Sequence, residues 1–409
     1  MNIWILNHYA LTPDMSGGTR HYDFAKELIK RGHQVTIIAS SFHYSKLKEM
    51  KDYEKKDYLI EDIDGIKFIW FKTSSYFNNG IKRVVNMLSY TKKAIFLLPK
   101  LKLSKPDIII GSSVHLFAVY AAFRLSKRYK TPFIMEVRDL WPQTLIDMGM
   151  SKYHPFILAL ALLEKYLYKK SDTIITLLPK ANQYIEKLGI DTKKIVWISN
   201  GTNLDNCSYD NLDILLKSDK FNVLYTGTLG VANNLNLLVD VAEILKSEES
   251  IFFTIVGDGP LKKRLQKKVD TLQLKNIDFI PSVPKREVFD YLSCADLLYV
   301  GLKDLPLYRY GMSMNKVFDY MAAKKPILFV STIKDSVIQK ADAGTIIGNE
   351  DAYSVAKSIK KYSCMSKNER EKIGKNGYNY LLKHYTFLVL TDKLESVLRK
   401  VKKEVNVEN

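Results

Sequence analysis

Short runs of Ile, Val and Leu recur along the whole chain, each separated from the next by a longer amphipathic stretch. In the first half they fall at residues 3–6, 35–39, 66–71, 107–111, 132–137, 173–177 and 195–199. In the second half they fall at 222–226, 252–256, 277–280, 297–300, 327–330 and 345–347. Continuous apolar runs without alternation fit parallel strands covered on both faces, and the stretches between them fit the covering helices. The pattern predicts an α/β protein built from two doubly wound, Rossmann-like domains facing a cleft. At 409 residues the chain is long enough for two cores. A polar, turn-rich stretch at residues 201–220 separates the halves. The expected organisation is a first domain over 1–205, a second over 206–384, and a basic amphipathic helix over 385–409 packing back on the first.

Ligands of open α/β sheets bind beyond the carboxyl ends of the strands, and several unusual loops fall there. Gly17 and Gly18 follow the first strand and precede a helix. Gly227, Thr228 and Gly230 follow the first strand of the second half, and Gly257, Asp258 and Gly259 follow its second. Glycines between a strand and a helix allow close backbone approach and leave N–H groups free for an anion. The segment 310–326, YGMSMNKVFDYMAAKKP, carries Tyr310, Ser313, Asn315, Lys316 and Asp319 into a helix. Three residues apart, Lys316 and Asp319 share a helical face. An ammonium near a helix start suits a diphosphate, and a carboxylate one turn later suits the vicinal diol of a ribose. A salt-bridged pair on an exposed helix fits the same spacing.

The charge is uneven. The chain carries a formal +18, and residues 1–200 hold 31 Lys/Arg against 18 Asp/Glu. From Lys72 to Lys130 there are 12 basic residues and one acid, Asp107, with aromatic and aliphatic residues interleaved. Such a stretch suits an anionic membrane surface; no nucleic-acid-binding motif accompanies it, so no nucleic-acid partner is expected. Three scattered cysteines suggest a reducing compartment without a zinc framework. The first residues lack the basic start and apolar length of a signal peptide. The expected location is the cytoplasm, peripheral on the inner face of the cell membrane. Asp62 and Asp64 match a metal-binding spacing but sit in the turn-like EDIDG, and His115 reads as a structural loop histidine. No metal is expected. Trp70 and Trp141 read as core or interface residues.

These segments resemble a family-4 retaining glycosyltransferase of the GT-B fold over essentially the full length. The carrying motifs are Gly17-Gly18, EVRDLWP (Glu136 to Pro142), TGTLG followed by ANNL, VGDGP (Val256 to Pro260), and the 310–326 segment. EVRDLWP with the last motif resembles the subfamily that builds capsule and O-antigen repeat units, including transferases of N-acetyl-fucosamine type sugars. The resemblance implies a nucleotide-sugar co-substrate, UDP-linked by expectation, and no other cofactor. It places Asp319 on the ribose hydroxyls, Gly257–Gly259 near the nucleoside, Pro281 to Val283 on the base, and Gly17-Gly18 on the diphosphate and sugar. Arg138 and Asp139 fall where many relatives have a His-Asp pair near the reacting sugar. Two departures stand out. The first carboxylate of the Glu-x7-Glu motif falls on Gly311, and Thr228 and Asn233 replace the Arg and Lys that grip the diphosphate. Lys316 is thereby the leading charge partner of the leaving group, with Arg138 or Arg309 as helpers. The implied activity is retaining, metal-independent transfer of an N-acetylated or deoxy hexose to a lipid-linked saccharide. A UDP-sugar 2-epimerase shares the fold but needs further acid–base groups in the cleft. A non-catalytic, membrane-associated sugar-nucleotide-binding protein is the other alternative.

Overall fold

In the computed structural model, residues 1–77, 80–113, 115–206, 216–348 and 351–408 are described. Cys207 and the middle of the polar break lie outside them. The first half contributes β1 (Asn2–Leu6), β2 (Gln34–Ser40), β3 (Phe42–His43), β4 (Lys48–Glu49), β5 (Tyr58–Ile63), β6 (Ile66–Phe71), β7 (Ile108–Ser113), β8 (Phe133–Val137), β9 (Thr173–Thr176) and β10 (Ile195–Trp197). Eight of these form one sheet in the order β10-β9-β8-β7-β1-β2-β6-β5, while β3 and β4 pair separately. The second half contributes β11 (Phe221–Thr226), β12 (Ile251–Val256), β13 (Ile277–Ile280), β14 (Leu297–Gly301), β15 (Ile327–Val330) and β16 (Gly344–Ile347), ordered β13-β12-β11-β14-β15-β16. In both sheets the strand order reverses beside the first strand, which leaves a crevice at the carboxyl ends of the central strands.

All pairs in the second sheet are parallel. The first sheet departs from the expected pattern at one edge, where β5 runs antiparallel to β6. Asp64 and Gly65 make the two-residue turn between them with φ of 53° and 81°, the left-handed pair that closes a tight hairpin. Asp62 spends a carboxylate oxygen on the Gly65 N–H at 2.9 Å. This pair of aspartates is turn chemistry.

Each sheet is sandwiched. One face of the first sheet buries Tyr90, Ala94, Val119, Phe123, Leu160 and Leu167, from three neighbouring helices, Ile81–Phe96, Leu116–Tyr129 and Pro155–Lys170. The other face takes the helix Arg20–Lys30 and the C-terminal helix Phe387–Glu408, which inserts Phe387, Leu390, Leu394 and Leu398. Glu395 of that last helix meets Arg31 at 3.1 Å and His33 at 3.0 Å. The chain therefore crosses from the first sheet to the second and returns. At the crossing, Thr202 N–H donates to Tyr385 O and Phe387 N–H to Thr202 O, both at 3.1 Å. Among the described residues, no helix is long and apolar enough to cross a membrane.

Candidate active site

Between the two sheets lies a cleft of about 590 Å³. From the first half it is lined by Gly17, Gly18, Tyr44, Arg138 and Asp139; from the second by Gly227, Thr228, Asn233, Gly257, Asp258, Val283, Tyr310, Ser313, Asn315, Lys316 and Asp319. Residues from seven separate segments of the chain thus converge. Two expected residues do not line the cleft. Gly230 begins the short 3-10 turn Val231–Asn233, and Gly259 packs on the backbone of Leu229, where a Cβ would come within 2.6 Å of the Leu229 carbonyl oxygen. Both shape the floor behind the site.

Lys316 and Asp319 do not pair with each other. The helix Asn315–Ala322 packs over the end of β11, and Lys316 turns toward that strand while Asp319 turns toward the domain crossing. Lys316 Nζ donates to Tyr225 Oη at 2.7 Å and to Asn233 Oδ1 at 3.3 Å, and it stands 4.0 Å from the centre of the Tyr225 ring. Every one of these partners is neutral. The ammonium lies so close to Gly227 that a Cβ there would come within 2.8 Å of Nζ, and Gly227 holds φ at +134°. Glycine is needed at 227 on both counts. Enclosure by protein, with no counter-charge, pushes the Lys316 ammonium down to about 7.

Asp319 accepts from Thr202 Oγ1 at 2.9 Å and forms an ion pair with Lys285. Nothing in the local sequence around Lys285 marked it; only the fold brings it to Asp319. Asp258 accepts from Ser282 N–H at 2.8 Å and from Lys262 at 2.6 Å, and so holds the loop of Pro281 to Val283 in place. Ser313 accepts from the Asn200 N–H at 2.8 Å, which makes it a fastener between the halves. The Asn315 amide lies against Gly18, where a Cβ would overlap it at 2.1 Å. Gly311 has a physical reason to lack a side chain. Its φ is +90°, and a Cβ would meet Pro179 at 2.5 Å. A carboxylate at 311 does not fit this backbone.

On the first-half side, Glu136 is buried at the end of β8. It accepts from Arg20 Nε at 2.8 Å, His21 Nε2 at 2.6 Å and Ser112 Oγ at 2.7 Å. Burial opposes its charge, but Arg20, His21 and Ser112 overcome that and hold it well below the usual carboxylate range. Arg20 also donates to the carbonyls of Ser199 at 2.5 Å and Ile198 at 3.0 Å. The EVRDLWP motif therefore begins with a structural anchor, and Arg138 and Asp139 follow it into the cleft. Burial raises the Asp139 carboxyl and Arg138 lowers it, with a net upward shift. Arg309, an expected helper, is taken up by Asp147, whose two oxygens both lie at 3.2 Å. His115 is a buried helix cap: its Nδ1 accepts from Ala118 N–H at 3.2 Å and its Nε2 faces His8 at 2.8 Å. Among the described residues no group of three or more His, Cys, Asp or Glu is placed to hold a metal ion.

Two Rossmann-like sheets with glycine turns and charged side chains at their facing ends define the GT-B class of transferases. The sequence comparisons agree. Residues 16–206 match the model of Glycosyltransferase Family 4 and residues 211–380 that of Glycosyl transferases group 1. The chain is a GT-B-fold glycosyltransferase related to these two families. It is 23% identical over 286 residues to the putative colanic acid biosynthesis glycosyl transferase WcaI of Escherichia coli K12, spanning 66% of this chain and 69% of that one. Among solved structures, sucrose-phosphate synthase of Thermosynechococcus elongatus superposes with a TM-score of 0.75 at 15% identity over 98% of each chain. Anabaena HepE, in complex with UDP and glucose, gives 0.68 at 13% identity over 97% of this chain and 99% of its own.

Proposed function

We propose that this protein transfers a sugar from UDP to a lipid-linked saccharide, with retention of configuration and without an obligatory metal, in the assembly of a capsule or O-antigen type polysaccharide. The observation that carries the reading is Lys316: a cation facing the cleft with only neutral partners. A cation held without a counter-anion is costly, so a diphosphate is the partner that completes it. The carboxylate of Asp319 on the same helix suits the ribose, and the HepE complex with UDP and glucose shows a protein of this fold holding such ligands.

With no carboxylate at Gly311, the donor sugar lies against Met312, Met314 and Asn315 and the Arg138–Asp139 side of the cleft. That environment suits an N-acetylated or deoxy hexose better than a fully hydroxylated one. Retaining transfer proceeds on one face of the sugar: the diphosphate leaves as the acceptor hydroxyl arrives, and a phosphate oxygen takes the acceptor proton. Lys316 and the N–H groups of the Gly17 and Gly227 turns stabilise the charge that grows on the phosphate. Arg138 and Asp139 position the acceptor.

The first domain, 1–205, takes the acceptor and faces the membrane; 206–384 takes the donor. The helices Ile81–Phe96, Leu116–Tyr129 and Pro155–Lys170 lie side by side and carry ten Lys/Arg and one acid, Glu164. Glu164 is buried and bonded by Tyr168 and Tyr184, so the surface charge is all positive. Ile81, Val85, Leu88, Leu158, Leu162 and Tyr166 stand exposed among those cations. This composition suits an anionic bilayer. Incubation with a panel of UDP-sugars and lipid-linked saccharides in anionic vesicles tests the reading. Product with the α or β linkage of the donor supports it; UDP binding without turnover on any such acceptor points to a non-catalytic binder.

A further inference from the structure

The loop that follows the base-contacting segment reaches across the cleft. Lys285 N–H donates to Met15 O at 3.1 Å and Arg286 N–H to Pro13 O at 3.3 Å, which joins the second domain to the Gly17-Gly18 loop of the first. From this fixed backbone the Lys285 side chain returns to the Asp319 carboxylate. Both side chains line the cleft, and both are largely buried, at 14% and 11% exposure. The Asp319 oxygens are each engaged once, Oδ1 by Thr202 and Oδ2 by Lys285. Each oxygen keeps acceptor capacity for a ligand hydroxyl, and the ammonium keeps donors for a ligand oxygen.

A vicinal diol presents two O–H donors and two oxygen acceptors. A carboxylate alone satisfies only the donors. We infer that Lys285 is a donor-binding residue that completes the ribose subsite: Asp319 accepts from the hydroxyls while the Lys285 ammonium donates to one of their oxygens. The inference rests on the nucleotide-sugar reading of the cleft and adds a residue to it. It also ties ribose recognition to the domain contact, because the backbone that aims Lys285 is held by Met15. The subsite is therefore complete only when the two loops touch.

The test is calorimetric titration of UDP, 2′-deoxy-UDP and 3′-deoxy-UDP into wild type, Lys285→Met and Lys285→Arg, with thermal unfolding run alongside. In wild type, removal of at least one hydroxyl is expected to weaken binding about tenfold or more, the range of a charge-assisted hydrogen bond. In Lys285→Met, UDP weakens while the deoxy ligand lacking the contacted hydroxyl changes little, so that penalty shrinks at least about threefold. Lys285→Arg retains it. A Lys285→Met variant that binds UDP and both deoxy ligands with the wild-type ratio overturns the assignment and leaves Lys285 as a structural clasp. Equal wild-type affinity for all three ligands overturns it as well. Failure of wild type to bind UDP is a separate result: the donor-site reading then falls and takes this inference with it.

Discussion

Two charged clusters sit at comparable places, each near the carboxyl end of a strand in its own sheet, and they are built to opposite rules. Around Glu136 the charge is closed: Arg20, His21 and Ser112 satisfy the carboxylate, and Arg20 spends its remaining donors on Ile198 and Ser199. Around Lys316 the charge is open: a phenol, an amide oxygen and an aromatic face are its partners. Closed clusters of buried charge hold a fold together, because breaking one leaves an uncompensated ion. An open one is destabilising until something anionic arrives. The contrast separates a motif residue whose charge is satisfied within the fold from one whose charge is not.

The sharpest way to break this comparison is to exchange the expected consequences. Glu136→Gln should lose about 3–5 kcal/mol of stability, read by urea unfolding, since the buried Arg20 guanidinium is left without its counter-charge. Lys316→Met should unfold no earlier than wild type, yet turn over about 10²–10³ times more slowly, as a group that stabilises growing charge does. If Lys316→Met instead loses stability and keeps its kcat, the open cluster is structural and the comparison collapses. Gly227→Ala belongs next. Its Cβ would strike the ammonium and its φ is left-handed, so catalytic loss approaching that of Lys316→Met is expected together with about 1–2 kcal/mol of strain. Gly311→Glu restores the motif carboxylate in sequence only. Overlap with Pro179 and the positive φ should cost about 1–3 kcal/mol and bring no activity, measured by thermal unfolding and turnover together.

The smallest effect carries the most specific signature. Lys316 sits at about 7, lowered by burial from its ordinary value near 10.5. A bound diphosphate favours the charged form and raises it again. Between the free and the bound values, binding must therefore take up a proton, and UDP affinity should fall as pH rises from about 7.5 to about 9, by at most about tenfold per pH unit. For folding the sign is reversed. The unfolded chain binds the proton more tightly than the native one, so removing it relieves the folded state, and this group's destabilisation fades as pH climbs from about 7 toward 10.5. Titration in two buffers of different ionisation enthalpy measures the uptake. Its persistence in Lys316→Met would assign the proton to another group.

Most strands of the two large sheets were legible in the sequence because a doubly covered parallel strand is apolar throughout. These runs are short and alternate with longer amphipathic stretches, whereas the apolar run 156–163 lies within the helix Pro155–Lys170. Three strands were missed: β3 and β4 are two residues each, too short for a run, and β5 alternates exposed and half-buried positions at a sheet edge, where the Asp64-Gly65 pair that turns into β6 was its available signal. Loops were legible as places where ligands bind, since glycine turns after strands are local features. What each charge does there was not. Spacing of three residues put Lys316 and Asp319 on one side of a helix and suggested a common role or a mutual pair, but the neighbours that separate them, Tyr225, Asn233, Thr202 and Lys285, come from 34 to 117 residues away.

The sequence alone thus determined the α/β class, the two sheets, the glycine turns and the segments from which the cleft is made, because each depends on periodicity or backbone freedom within a few residues. The tertiary structure alone decided which charges are closed and which are open, why no side chain is accommodated at Gly311, and that Lys285 faces Asp319. Those outcomes depend on long-range packing, where the energy of a charge is set by whichever distant groups the fold delivers beside it.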